Sequence, residues 1–143
     1  MDCVVELEIP ARPEYVGIAR MAVGALAGIR PGLAYERIDD LRIVVSEACT
    51  SAIEVLGMMG SLRLRCVDSP KVLEVRIEAP RAAFESVFPA GGDAGPDVDS
   101  FRISLIRALV DDAELRSAAG TTELCLVVHR DGASDEDGGD LPA

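Results

Sequence analysis

Ile38-Asp39-Asp40-Leu41-Arg42-Ile43-Val44-Val45-Ser46-Glu47-Ala48-Cys49-Thr50-Ser51-Ala52 sets aliphatic residues at three- and four-residue steps. Ile38, Leu41, Val45, Ala48, Ala52 and, one turn beyond, Val55 fall on one side of a helix, so the spacing predicts a continuous buried stripe. The helix is predicted to start near Tyr35. Glu36, Asp39 and Asp40 lie in its first turns, where acids suit the helix dipole. Gly57 and Gly60 close it.

On the upstream side, Val5, Leu7 and Ile9 alternate with Glu6 and Glu8, which predicts a strand over Val4–Ile9 ended by Pro10. Pro13 suits the first turn of a helix. Ile18, Met21, Ala22 and Leu26 then give that helix its expected inward face, and Pro31-Gly32 stops it. Downstream, Leu62, Leu64 and Cys66 alternate with Arg63 and Arg65. Leu73, Val75 and Ile77 alternate with Glu74, Arg76 and Glu78 across an Asp68-Ser69-Pro70-Lys71 turn. Bases on one strand facing acids on the next predict cross-strand pairs. Residues 79–100 break the pattern, and the Gly-rich stretch 90–96 reads as a mobile loop. A short helix is expected over 100–110, and closing strands over Ala113–Ser117 and Glu123–His129, with His129 in a structural role. The order predicts an α+β fold: a two-layer sandwich with helices on one face of a mostly antiparallel sheet. One domain over residues 1–130 is expected, followed by an acidic tail over 131–143 whose composition predicts disorder.

The whole chain of 143 residues has a net charge of −11. Such a surface repels phosphate backbones and anionic lipid, so neither nucleic acid nor a membrane is an expected partner. A basic protein would be attracted and its encounter speeded. Between Asp131 and Asp140 there are five acids and no base, so part of the charge is local to the tail. Hydrophobic residues make up 49% of the chain and aromatic ones 3%, which predicts an aliphatic interior with little to stack on bases. Cys3, Cys49, Cys66 and Cys125 show no paired metal spacing, and each sits in an apolar run. Buried reduced thiols are the expectation, with no metal site. With no leader-like or membrane-spanning apolar run in the sequence, a cytoplasmic protein is expected.

The stretch Ile38–Ala52 resembles, nearly residue for residue, the second helix of the RsbW-type anti-sigma factor serine kinases. Leu7-Glu8-Ile9-Pro10-Ala11-Arg12-Pro13-Glu14-Tyr15-Val16 is similar to that family's opening. Leu105-Ile106-Arg107-Ala108-Leu109-Val110-Asp111-Asp112 gives a third match, and element order agrees over about residues 4–130. The resemblance implies the histidine-kinase-like ATPase fold. It also implies a protein that holds a sigma factor away from RNA polymerase, is opposed by a small antagonist, and acts as a homodimer. In the family the kinase uses ATP and Mg²⁺ to phosphorylate a serine of that antagonist.

By the same resemblance, Glu47 takes the place of the base toward water or hydroxyl. The place of the Mg²⁺-binding Asn, four residues on and on the same helical face, is taken by Ser51, whose hydroxyl is a shorter ligand. Where the family's Asp-x-Gly accepts from the adenine amino group, the chain reads Ala79-Pro80-Arg81-Ala82-Ala83. Losing such an acceptor costs roughly 1–3 kcal/mol. The two phosphate-cradling Gly positions read Ser100 and Arg102, where side chains stand in the way of backbone N–H groups. All three nucleotide-contacting motifs thus depart from the family pattern, and no cofactor is expected.

Arg20 matches a position that in the family meets both sigma factor and antagonist. Arg12, Glu14 and Arg42 are further partner-contact candidates. Three functions follow as alternatives: an anti-sigma factor working by partner switching without nucleotide, an active serine kinase with a divergent site that still uses ATP and Mg²⁺, and a scaffold that binds only the antagonist.

Overall fold

The computed structural model describes residues 2–57, 59–79, 84, 105–118 and 121–131. Five strands form one sheet: β1 (Cys3–Pro10), β2 (Ser61–Asp68), β3 (Val72–Ala79), β4 (Asp112–Ala118) and β5 (Thr121–His129). Their spatial order is β1-β2-β3-β5-β4, and every neighbouring pair is antiparallel. A 3-10 turn at Pro13–Tyr15 leads into α1 (Val16–Ala27), and α2 (Tyr35–Leu56) follows. Residues 105–109 form a further helical turn before β4.

The two-layer expectation holds, for a reason visible in the strands. Leu62, Leu64 and Cys66 on β2, Leu73, Val75 and Ile77 on β3, and Leu124, Leu126 and Val128 on β5 are all buried. These alternate residues make one apolar sheet face, and α1 and α2 lie on it. α2 contributes Ile38, Leu41, Val44, Val45, Ala48, Cys49, Ala52 and Ile53. Gly57 ends α2 in the left-handed conformation at φ 66°, its N–H donating to Ile53 O at 3.0 Å.

Several expectations are corrected. On α1 the buried residues are Val16, Ala19, Val23, Gly24, Leu26 and Ala27, whereas Ile18 and Met21 are 48% and 70% exposed. Small residues face inward there because α2 packs close, and the larger ones turn out. Val55 is 44% exposed, and the end of the α2 stripe is carried by Ile53 and Leu56 in its place. Cys49, Cys66 and Cys125 are buried as expected, but Cys3 is exposed near the end of an edge strand. Within the break over residues 79–100, upstream of the stretch read as a loop, Phe84 is fully buried in the core. The glycine-rich stretch 90–96 lies outside the described residues, as do the first residues of the short helix and the tail from 132 on.

The outward sheet face is only partly paired as predicted. Arg63 reaches Glu78 on β3 at 3.7 Å and Glu8 on β1 at 3.8 Å. Arg65, however, stands opposite Arg76 in register and turns to Glu6 on β1 at 3.9 Å, while Arg76 bonds Glu74 of its own strand at 2.9 Å. Like charges directly opposite are unfavourable, so each takes an acid elsewhere.

One buried polar cluster was not anticipated. Asp68 and Arg130 continue the inward alternation of β2 and β5, and both are almost fully buried. The Arg130 guanidinium donates to Asp68 at 2.6 Å and to the carbonyls of Ala27 and Arg30 at 3.1 and 2.9 Å. Arg30 adds a second bond to Asp68 at 3.0 Å. The ends of α1, β2 and β5 are thereby tied together. Asp131 N–H donates to Gly32 O at 2.8 Å, which fixes the chain where the acidic run begins.

Candidate functional site

The candidate residues gather on the helical layer. α1 and α2 meet along a seam, and a groove of about 480 Å³ opens on it, lined by Arg20, Asp39, Arg42, Ile43, Ser46 and Glu47. Arg20 is exposed and donates from Nη1 to Ser46 Oγ at 3.3 Å. Arg42 donates from Nη1 to Asp39 Oδ1 at 3.1 Å, one turn back on α2. Ile43, off the buried stripe, is 45% exposed in the groove.

The structure therefore brings Arg20, Arg42 and Glu47 together. Arg12 and Glu14 do not join them. Both are exposed at the 3-10 turn ahead of α1, where Arg12 N–H donates to Pro10 O at 2.8 Å and its carbonyl accepts from Tyr15 N–H at 3.0 Å. Asp39, Ile43 and Ser46 were missed as site residues. Ile43 carried a signal, being an aliphatic residue at a helix position where the period asks for a polar one.

Ser51, at the position of a Mg²⁺ ligand, is on the core side of α2 and 1% exposed. Glu47, one turn before it, is half-buried. β3 ends at Ala79, a buried methyl with no side-chain acceptor for an amino group. Ser100 and Arg102 lie outside the described residues. Among the described residues no group of three or more His, Cys, Asp or Glu is arranged to hold a metal. A nucleotide with Mg²⁺ needs oxygen ligands and an adenine acceptor. At the two family positions that are described, the chain offers a buried hydroxyl and a methyl group, which do not fit it.

The three buried thiols are inert by environment. Burial pushes the Cys49 thiol up to about 12. Burial, reinforced by Asp68, pushes Cys66 up to about 11. Cys125 is raised as well, again chiefly by burial. None of these three offers a thiolate near neutral pH. No helix among the described residues is long and apolar enough to cross a membrane.

Comparison with known proteins agrees with the fold. The Histidine kinase-like ATPase domain pattern matches residues 9–128, from the end of β1 to the end of β5. The chain is 31% identical over 134 residues to the serine-protein kinase RsbW of Bacillus pumilus, covering 83% of this chain and 82% of that one. It is 32% identical over 125 residues to the serine-protein kinase RsbW of Listeria monocytogenes, covering 78% of each. It is 30% identical over 128 residues to the serine-protein kinase RsbW of Oceanobacillus iheyensis, covering 81% and 80%. With the sheet order, the α2 stripe and these matches in agreement, the chain belongs to the RsbW-type anti-sigma factor kinase family, on the histidine kinase-like ATPase fold.

Proposed function

We propose that this protein is a cytoplasmic anti-sigma factor that works by protein binding alone: it captures an alternative sigma factor and releases it when an antagonist protein competes for the same surface. ATP and Mg²⁺ take no part, and the kinase step is lost. The observation that carries this reading is the split fate of α2. Its buried stripe holds the fold, while the Mg²⁺-ligand position on the same helix is Ser51, drawn into the core at 1% exposure. Ala79 at the end of β3 supports it, as do the sequence positions Ser100 and Arg102. Arg20 and Arg42, with Ile43 between them, supply the partner surface, and Arg12 and Glu14 extend it. The family's homodimer is carried over as part of the same reading.

Glu47 favours a second reading, a divergent serine kinase, because it is in place and reaches the groove. A thermal melt with Mg-ATP separates the two. A ligand at a hundred times its dissociation constant stabilises by about 2.7 kcal/mol, a rise of about 9 °C for a domain of this size. The proposal expects no rise with Mg-ATP in excess. A clear rise, together with phosphate transfer to a serine protein, would replace it with the kinase reading.

A further inference from the structure

β1 stands at one edge of the sheet, and among the described residues no strand pairs with its outer side. It runs straight: all eight of its residues, Cys3 to Pro10, pair with β2 in unbroken register, with no bulge to turn the edge away. Its outer N–H and C=O groups are therefore set for a further strand. The side chains agree. Val4 on one face is 48% exposed, Val5 on the other is 42% exposed, and Leu7 is only half-buried. A strand open on both faces and along one edge lacks a neighbour on that edge.

α1 leaves an apolar ledge above the inner face of β1. It rests on β1 and β2, while α2 rests on β3. Arg20 and Gly24 mark the side of α1 that meets α2, through Ser46 and Arg42. Ile18 and Ala22 lie about half a turn round from that pair, on the flank over the β1 edge. Exposed Ile29 follows just past the end of α1, and its neighbour Arg30 reaches Cys3 of β1 at 3.9 Å. Ile18, Ala22, Ile29 and Val5 thus run along the free edge. The outer face of the same strand is acidic. Glu6 and Glu8 are exposed, and their bases, Arg65 and Arg63, sit one strand in at 3.9 and 3.8 Å.

We infer that β1 is a docking edge: it accepts an extended segment of a partner protein as a further strand, with aliphatic side chains of that segment under α1 and lysine or arginine side chains beside Glu6 and Glu8. This goes beyond the reading above and uses a different surface from the α1–α2 seam. Main-chain bonds along the edge supply affinity, and the alternation of side chains supplies specificity. Charge selects the occupant. A second copy would set Asp2, Glu6 and Glu8 beside their own counterparts, and β1 carries no base to offset them. At −11 each, two copies also repel as wholes. A basic strand meets neither penalty.

The test titrates the whole, isotopically labelled chain with a short capped peptide of alternating valine and lysine. Two controls have the same composition in separate blocks, or glutamate in place of lysine. Amide exchange and chemical shifts are followed by NMR. The expected result is that the alternating valine–lysine peptide slows exchange of every second β1 amide, those directed to the free edge, roughly tenfold or more, and shifts Ile18 and Ile29. Neither control should do so. Val5→Asp should weaken the peptide roughly tenfold. Ile18→Asp, which leaves β1 untouched, should weaken it in the same direction and keeps the test open if the strand variant fails to fold. Equal binding of either control, no alternating protection on β1, or full affinity in Ile18→Asp overturns the proposal. So does protection already present without peptide: if it fades on dilution a second copy holds the edge, and if it does not, residues of this chain do.

Discussion

Asp68 accepts from Arg30 and Arg130, and the Arg130 side chain is 0% exposed. Replacing one member of a buried ion pair strands the other's charge in a medium that cannot solvate it. Asp68→Asn is therefore expected to cost about 3 kcal/mol, read as a lowered urea midpoint with an unchanged slope. A loss within that of an ordinary surface change would show that the cluster carries no strain of this kind. The cluster was legible in principle. Asp68 follows Cys66 at the inward parity of β2, and Arg130 follows Val128 at that of β5. Reading Asp68 as a turn residue hid it, because polar residues beside Pro70 ordinarily mark a turn.

The thiols give a second residue-scale expectation. Cys49 and Cys66 are raised in the folded state to about 12 and about 11, from an ordinary thiol value of 9.0. The folded protein therefore holds protons that the unfolded chain gives up above pH 9. This stabilisation is fully present below that value and is lost as pH rises from about 9 through 11 and 12. Each thiol contributes a loss of about 1.4 kcal/mol per pH unit in that window, so the two together take away about 3 kcal/mol between pH 8 and pH 10. Urea unfolding at both pH values checks it: the drop should shrink in Cys49→Ala/Cys66→Ala, and an equal drop in both proteins would contradict the assignment.

At the scale of elements, α2 announced itself and α1 did not. The α2 stripe is built from Ile, Leu and Val at helical steps, and size and period point the same way. On α1 they conflict. The inward side is lined by Ala19, Gly24 and Ala27 as much as by Val23 and Leu26, because α2 packs closely there. A pattern weighted by large apolar residues chose Ile18 and Met21, which face out. The end of α2 gives a cleaner prediction. Gly57 is left-handed, and an added Cβ there would meet nothing within 4 Å. Gly57→Ala should therefore cost only its backbone term, about 1 kcal/mol, and Gly57→Asn less. A thermal melt showing no loss for the alanine variant would place the helix end elsewhere.

At the scale of the whole molecule, the two-layer architecture could be read because β2 and β3 alternate cleanly and the connections fit helices on one face only. The candidate site could be read only in part. Glu47 and Ser51 were placed by resemblance and periodicity, but nothing in the period said that Ser51 would be drawn into the core. The groove between Arg20 and Arg42 is a product of two helices meeting, so neither helix alone predicts it. The account makes this domain a binding surface on an ATPase scaffold: the sheet and the α2 stripe supply a rigid base, and the seam of α1 and α2 supplies the contact. The most direct measurement is the affinity of the purified protein for each purified sigma factor of its host, taken without nucleotide and again with Mg-ATP. The account predicts that at least one sigma factor is captured without nucleotide and that Mg-ATP leaves its affinity unchanged. Capture of none, or capture that depends on Mg-ATP, would contradict it.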